Sequence, residues 1–285
     1  MKYTLFFFTW NFMAVGLSRA DHDWCYIELS CGPSAWANKF PMCGNTHQSP
    51  INIETASAKV NPDMKPLIFE SPSQHKTREA TVTNNGHSFD VKLKEDYTLR
   101  GALHPAIFKL KSFHFHFGAP GRLTKGSEHR INKKAYPMEM HIVFYNSNYK
   151  SADEAMQHDD GLAVLGVFFE VGAKNYVMQT IIDQLPNIKY KGQSAVFSMS
   201  LDDLLPRRLL SSYYGYKGSL TTPPCTENVA WRVLAQPLKI SKKQLKTITK
   251  SLYYTRANDH HKERMWNNYR PVQPLNKRVV SHYLK

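Results

Sequence analysis

Two histidines lie two residues apart in the segment S-F-H-F-H-F-G, residues 112–118. In a β-strand, residues i and i+2 project to the same face, so His114 and His116 would share one face with Ser112. The phenylalanines between them would pack on the other face. A strand with one covered face and two imidazoles on its other face predicts a metal site.

A third histidine follows in the segment E-M-H, residues 139–141. If this strand neighbours the first, His141 joins His114 and His116, and Glu139 lies on the same face. Three histidines with an open fourth position form the zinc arrangement that activates water, whereas structural zinc sites use four protein ligands, usually with cysteine. Glu139 would accept the second N–H of an imidazole ligand. The alternative is that these are ordinary hydrogen-bonded histidines, since sheet faces also carry them.

Short runs rich in valine, isoleucine, phenylalanine, threonine and tyrosine dominate the chain and predict strands. These runs cover residues 80–83, 88–92, 108–117, 139–145, 162–171 and 229–234. Residues 162–171 are apolar nearly throughout, so we place this strand in the middle of a sheet that is covered on both faces.

Few helices are expected. Residues 175–185 carry an apolar stripe at helical spacing that Pro186 ends. Residues 241–244, S-K-K-Q, form a capping box that begins a second helix with Leu245, Ile248 and Leu252 on its apolar face. Since no repeat or linker divides residues 21–285, we predict one domain.

The first twenty residues have the pattern of a secretory signal peptide. Lys2 precedes an apolar run that ends at Leu17, and Ser18-Arg19-Ala20 is a small-x-small cleavage pattern. The apolar run is too short for a membrane span. The mature chain would therefore begin at Asp21 and be secreted, without a transmembrane segment.

Net charge and cysteine content narrow the class of protein further. The net charge is +14, but the basic residues occur as scattered pairs without a nucleic-acid motif, which favours a hydrated surface over a specific polyanion site and predicts no nucleic-acid partner. Four cysteines in an exported chain favour disulfides over a metal site, and three connectivities are open.

Eight ordered segments together resemble the alpha-class carbonic anhydrases over essentially the whole mature chain. These are Q-S-P-I-N-I (48–53), N-N-G-H (84–87), F-H-F-H-F-G (113–118), G-S-E-H (126–129), E-M-H (139–141), G-L-A-V-L-G (161–166), S-L-T-T-P-P (219–224) and R-P-V-Q-P-L (270–275). The resemblance implies a mostly β fold of the α+β class, in which peripheral helices surround a large twisted, mainly antiparallel sheet. It also implies reversible hydration of carbon dioxide to bicarbonate and a proton.

The resemblance assigns roles around a zinc ion. His114, His116 and His141 would hold zinc, with water or hydroxide as the fourth ligand that attacks carbon dioxide. Thr221 would accept the hydroxide's proton in a hydrogen bond and donate its own in a hydrogen bond to Glu128, which fixes the orientation of the attack. The apolar wall and the bicarbonate seat would be Val143, Val164, Leu220, Thr221, Thr222, Val229 and Trp231.

Proton removal is assigned by the same resemblance to His87, whose ordinary pKa near 6.5 suits transfer around neutrality. Asn85 and Tyr26 match positions that order water along the cleft. Sulfonamide-type inhibitors are expected to bind beside the zinc.

The cysteine pattern is similar to that of the extracellular, membrane-associated type IV branch of the family. This similarity implies the pairs Cys25 with Cys31 and Cys43 with Cys225. A lipid anchor is typical of the branch, but the sequence ends in L-N-K-R-V-V-S-H-Y-L-K without a hydrophobic tail, so this sequence does not predict an anchor. Two alternatives stay open: a soluble form, or a longer form that carries the anchor tail.

Four positions depart from the family pattern. Ser112 stands in place of a glutamine that would hydrogen-bond the first zinc ligand. Serine is too short to make this bond, so we expect the zinc affinity to be lower by about 10- to 100-fold. Asp90, Phe117 and Tyr145 stand where the family usually has other residues. We expect these three differences to affect contacts with inhibitors and contacts at the rim of the cleft.

Two alternative functions are kept. One is a secreted relative that binds, stores or organises mineral matrix and turns over slowly, which loss of a histidine or of Thr221 would favour. The other is a basic polyanion-binding module, which would bind heparin or nucleic acid with strong salt dependence.

Overall fold

Strands dominate the structure, as the alternating runs predict. The computed structural model describes residues 23–71 and 76–285, so the proposed signal peptide lies outside the described residues. The strands are β1 (Asn52–Ile53), β2 (Lys59–Val60), β3 (Ile68–Glu70), β4 (Arg78–Asn84), β5 (Phe89–Leu93), β6 (Thr98–Arg100), β7 (Ile107–Phe117), β8 (Arg130–Ile131), β9 (Met138–Asn146), β10 (Leu162–Val171), β11 (Ser194–Met199), β12 (Ser212–Gly218), β13 (Val229–Leu234), β14 (Leu238–Ile240) and β15 (Ser281–Leu284).

The helices are short and lie at the periphery of the sheet. They are α1 (Trp36–Lys39), α2 (Ala152–Ala155), α3 (Tyr176–Ile182), α4 (Leu201–Leu204) and α5 (Lys242–Ser251), with 3₁₀ turns at Pro41–Gly44, Leu185–Ile188 and Arg207–Ser211. Across residues 23–71 and 76–285, none of the helices has both the length and the apolar character needed to cross a bilayer.

One mixed sheet of thirteen strands forms the body of the protein. Its order is β11-β4-β5-β7-β9-β10-β13-β12-β15-β2, and β3, β6 and β14 pair beside this path. Most neighbours are antiparallel, whereas β10 runs parallel to β13 and β14, and β15 runs parallel to β2. The predicted fold class, a mostly β protein with a mainly antiparallel sheet, is confirmed.

The two faces of β7 and β9 have different environments. Phe113, Phe115 and Phe117 are fully buried in the larger apolar core, as the alternation of β7 predicts. β10 has eight consecutive buried residues from Leu162 to Phe169 and lies between β9 and β13, which confirms its central position. The opposite face of these strands is therefore left for the polar site.

Both predicted helices form, and one is shorter than expected. The capping box at Ser241 is present, and Leu245, Ile248 and Leu252 are buried beneath α5. α3 begins after Asn175, whose side chain accepts a hydrogen bond from the Met178 amide at 2.9 Å. It ends at Ile182 rather than at residue 185, because Pro186 has no amide hydrogen to donate to the Ile182 carbonyl, and the chain continues as a 3₁₀ turn.

The four cysteines form two disulfides, Cys25–Cys31 and Cys43–Cys225. This pairing agrees with the one that the family resemblance implies. The second disulfide joins residues 182 positions apart and ties the loop after Pro224 to the N-terminal segment.

Removal of the long-range disulfide should destabilise the protein more than removal of the short one. We expect the Cys43→Ala/Cys225→Ala variant to lose about 3 kcal/mol more unfolding free energy than Cys25→Ala/Cys31→Ala, because it frees a much longer loop in the unfolded chain. Urea unfolding of both variants measures the difference. Equal losses would contradict the loop-entropy explanation.

Candidate metal centre

Antiparallel pairing of β7 with β9 brings three histidines together. His114 lies directly opposite His141, and His116 lies opposite Glu139. The rings of His114 and His116 are 5.1 Å apart between centroids, and that of His141 is 4.4 Å from His116. One nitrogen of each ring lies within 4.8 Å of the others, so the three imidazoles converge on a common point.

Hydrogen bonds determine which ring nitrogens face that point. His116 Nδ1 lies 2.7 Å from the Asn268 carbonyl oxygen, so it carries the proton and donates. His141 Nε2 lies 2.8 Å from Glu139 Oε1 and donates to that carboxylate. His116 Nε2 and His141 Nδ1 therefore keep their lone pairs for a ligand.

The imidazoles meet the requirements of a metal ligand set. His116 Nε2 is buried and has no hydrogen-bond partner among the described residues, which is costly for a polar atom unless a ligand binds it. Burial, followed by the neighbouring His141, lowers the pKa of His114 to about 3, and burial also lowers the pKa values of His116 and His141. Neutral imidazoles with inward lone pairs are suited to bind zinc.

Glu139 lies at the centre of the hydrogen bonds behind the site. It is fully buried, and its Oε2 accepts bonds from the amides of Glu128 at 2.9 Å and His129 at 2.8 Å. Its Oε1 is 2.7 Å from His129 Nδ1. Burial alone would raise the pKa of Glu139, but His129 and His141 outweigh it and hold the pKa well below its usual value.

A further group, formed by His129, Glu139 and His141, is close enough to consider as a second metal site. His129 Nδ1 faces Glu139, however, and His129 Nε2 lies 2.6 Å from the Tyr216 hydroxyl. Both ring nitrogens of His129 are thus occupied by hydrogen bonds. Its hydrogen bond holds Glu139, which in turn bonds His141.

Replacing Glu139 by glutamine should weaken metal binding while leaving all three histidines in place. The amide keeps the shape but loses the negative charge and cannot accept as strongly from His129 and His141. We expect the zinc dissociation constant to rise about 10- to 100-fold. Competition with a chromophoric chelator measures it, with exposed Glu54→Gln as the control; unchanged affinity would contradict this role.

Glu128 lies next to the histidines, and Thr221 lies next to Glu128. Glu128 is buried, its Oε1 accepts the Arg270 amide at 2.7 Å, and its Oε2 is 3.8 Å from His141 Nδ1. Burial raises the pKa of Glu128 well above its usual value, and hydrogen bonding from the Arg270 amide and the Thr221 hydroxyl opposes this rise. A hydroxyl that donates to a buried carboxylate beside the histidine cluster can direct the lone pairs of a third group.

The segment that carries Thr221 is held in position by distant groups. Trp231 Nε1 donates to the Ser219 carbonyl at 2.9 Å, and the Ser219 amide donates to Ser49 Oγ at 3.0 Å. Cys225, four residues after Thr221, is in the long-range disulfide. The hydroxyl position is therefore defined by the tertiary fold.

An apolar wall adjoins the histidines. Val164 pairs with Val143 on one side and with Trp231 on the other, and the Trp231 ring lies 4.8 Å from that of His141. Val164, Val229 and Trp231 are buried in the smaller apolar core, with Val143 and Leu220 partly buried against it, and Thr222 is half-buried beside Thr221. The five residues expected to form the wall thus belong to one cluster.

His87 is half-buried on the turn between β4 and β5. Its ring stacks on Trp24 with a centroid separation of 3.8 Å. Asn85 Oδ1 accepts the amides of His87 and Ser88, so Asn85 shapes the turn that presents His87. Tyr26 is buried in edge contact with Trp24 and close to Trp36, in an aromatic cluster below this histidine.

The residues that depart from the family pattern lie in different places. Ser112 Oγ donates to Asp90 Oδ1 at 2.8 Å, and the His114 ring has no hydrogen bond to any residue in 23–71 or 76–285. Tyr145 is half-buried beside the smaller core. The expectation that Phe117 affects the rim is wrong, because β-strand alternation buries its side chain completely in the larger core.

Sequence reasoning gave no roles to several supporting residues. Asn268 accepts from His116 through its carbonyl and from the Phe117 amide through its side chain. The buried Arg270 guanidinium donates to Gln48 Oε1, Ser49 O and Cys43 O. His129 and Arg270 fall within the motifs G-S-E-H and R-P-V-Q-P-L, whereas Asn268 carries no sequence signal.

Comparisons with known proteins agree with this geometry. The family model described as eukaryotic-type carbonic anhydrase matches residues 31–284. Human carbonic anhydrase 6 is 39% identical over 274 residues, covering 94% of this chain and 86% of the relative. Human carbonic anhydrase 12 is 37% identical over 259 residues, covering 90% and 72%. Carbonic anhydrase 6 of Bos taurus is 38% identical over 272 residues, covering 94% and 83%.

Proposed function

The chain belongs to the eukaryotic-type carbonic anhydrase family, and we propose that it is a zinc enzyme that interconverts carbon dioxide and bicarbonate outside the cell. The observation that carries the proposal is the convergence of three neutral imidazoles that includes the buried, unpartnered Nε2 of His116. Zinc, when bound, is a Lewis acid that acidifies a water molecule, the property for which carbonic anhydrases are the standard example.

His114, His116 and His141 would hold the metal. Asn268 and Glu139 would fix two of these rings by accepting hydrogen bonds from the outward N–H groups of His116 and His141. Because a zinc site that activates water leaves a coordination position for the substrate, three protein ligands suit catalysis better than a structural role.

Thr221 and Glu128 would orient the attacking oxygen. The Thr221 hydroxyl can donate to only one acceptor, and the buried Glu128 carboxylate is the acceptor beside it. A lone pair of that hydroxyl would then accept a hydrogen bond from the attacking oxygen, which would turn the lone pair of that oxygen toward the substrate. This is orientation by a preorganised donor and acceptor.

The apolar wall would hold carbon dioxide. The substrate has no charge, so Val143, Val164 and Trp231 can contact it without losing hydrogen bonds. Thr222, half-exposed beside Thr221, would contact the more polar bicarbonate product.

His87 would carry protons between the site and solvent. It is half-buried and its ring is oriented by stacking on Trp24, and histidine is the side chain suited to proton transfer around neutral pH. Asn85 holds the turn that carries His87, and Tyr26 packs against Trp24 in the aromatic cluster beside it.

Export is proposed from the predicted signal peptide, residues 1–20, together with two disulfides, which persist in oxidising compartments. We assign residues 21–285 to the catalytic domain.

Stopped-flow hydration of carbon dioxide tests the proposal. The chain from Asp21, loaded with zinc and checked for one metal per molecule, should turn over well above buffer, and a sulfonamide should suppress this turnover. The metal-free protein is the control. A folded, zinc-loaded protein at background rate would contradict the enzyme proposal and favour a binding or mineral-matrix role.

A further inference from the structure

A groove with only positive charge lies between α5 and the loop that follows β7. Its volume is about 330 Å³, and its lining includes Arg122, Lys242, Lys246 and Lys250. None of the residues that line it is acidic. We call the groove that these four cationic side chains line the basic groove.

Helix geometry aligns three of the cations. Lys242, Lys246 and Lys250 follow each other at four-residue intervals on α5, so they form one stripe. At 1.5 Å per residue, the stripe is about 12 Å long. Arg122 joins the stripe from a loop distant in sequence.

These charges are not neutralised by the protein. The four side chains are exposed, and none has a carboxylate partner within 4.0 Å among residues 23–71 and 76–285. The chain as a whole carries a net charge of +14, so its acidic residues do not offset the repulsion among these four cations. Such an array attracts a partner with several negative charges in a row.

We propose that the basic groove binds a linear sulfated polysaccharide. The groove has no aromatic lining side chain, which disfavours single-stranded nucleic acid because base stacking has no platform. Its apolar floor is Leu245, which is buried, and Leu123, which is half-buried, so no large apolar side chain is available to enter a bilayer. The choice of a sulfated glycan as the polyanion rests on the proposed export of the enzyme.

The site lies outside the catalytic machinery. The loop from 119 to 123 connects β7 to the segment with Glu128, but none of the metal-site residues lines the groove. Ligand binding here would hold the enzyme on an anionic matrix without occupying the histidine centre.

Calorimetric titration with heparin tests the proposal, with the chain from Asp21 used intact. The variant Arg122→Gln/Lys242→Gln/Lys246→Gln/Lys250→Gln should bind about tenfold or more weakly and show a shallower dependence of affinity on salt, because fewer counterions are released. The matched control Lys59→Gln/Lys65→Gln/Lys150→Gln/Lys277→Gln removes the same charge from four exposed, scattered lysines and should bind like the unmodified protein. Carbon dioxide turnover should be unchanged in both variants.

Three results would overturn the proposal. One is equal loss of heparin affinity in the two variants, which would show that only net charge matters. Another is the absence of heparin binding by the unmodified protein. The third is equal or tighter binding of duplex DNA or phosphatidylserine vesicles through the same four residues, which would assign the groove to another class of partner. Desulfated heparin should bind more weakly than heparin.

Discussion

Replacing His116 by alanine is expected to abolish zinc binding and reduce carbon dioxide hydration to the uncatalysed rate. The variant removes one of three ligands and the buried nitrogen that has no other partner. Loss of an outer hydrogen-bond partner costs about 10- to 100-fold in metal affinity, and loss of the ligand itself must cost more. Metal content after dialysis and stopped-flow hydration measure the two effects.

Folding must be separated from metal loss in this experiment. His116 is buried, so alanine leaves a cavity and removes the donor for the Asn268 carbonyl. His114→Ala repeats the test at a half-buried ligand, where the packing loss is smaller. His261→Ala, at an exposed histidine, is the control and should keep zinc and activity. Stoichiometric zinc in a folded His114→Ala variant would contradict the proposed ligand set.

Replacing Thr221 by valine should lower kcat/KM by about 100- to 1000-fold, the usual cost of losing one preorganised hydrogen-bonding group at a reacting centre. Valine keeps the side-chain shape and removes the hydroxyl that donates to Glu128. Zinc affinity should stay close to that of the unmodified protein, because Thr221 is not a ligand. Hydration kinetics and zinc competition together distinguish misorientation from metal loss.

Two companion variants sharpen the test of Thr221. Thr222→Val removes the neighbouring half-exposed hydroxyl and should have a much smaller effect on kcat/KM. If Thr221 and Glu128 act as one unit, adding Glu128→Gln to Thr221→Val should cost far less than the single variants suggest when added together. Full activity in a zinc-loaded Thr221→Val enzyme would rule out the orienting role.

Local periodicity is what made much of the fold predictable. The twofold alternation of β7 predicts which face carries the phenylalanines, and the structure buries all three of them. The apolar run 162–171 and the capping box at Ser241 also became the expected strand and helix. The alternation also places Phe117 on the covered face; the expectation that Phe117 affects the rim came from the family pattern and was wrong.

The sequence by itself determined the alternation of strand faces, the helix start at Ser241, and the segments that place the chain in its family. Only the tertiary structure decided which atoms meet: the Asn268 carbonyl reaches His116 across 152 residues, and the Arg270 amide reaches Glu128 across 142. It also decided that Arg122 lies beside the lysine stripe of α5. The reason is physical: side-chain direction follows from the local backbone repeat, whereas contacts between distant segments depend on how the strands pair and how the loops between them pack.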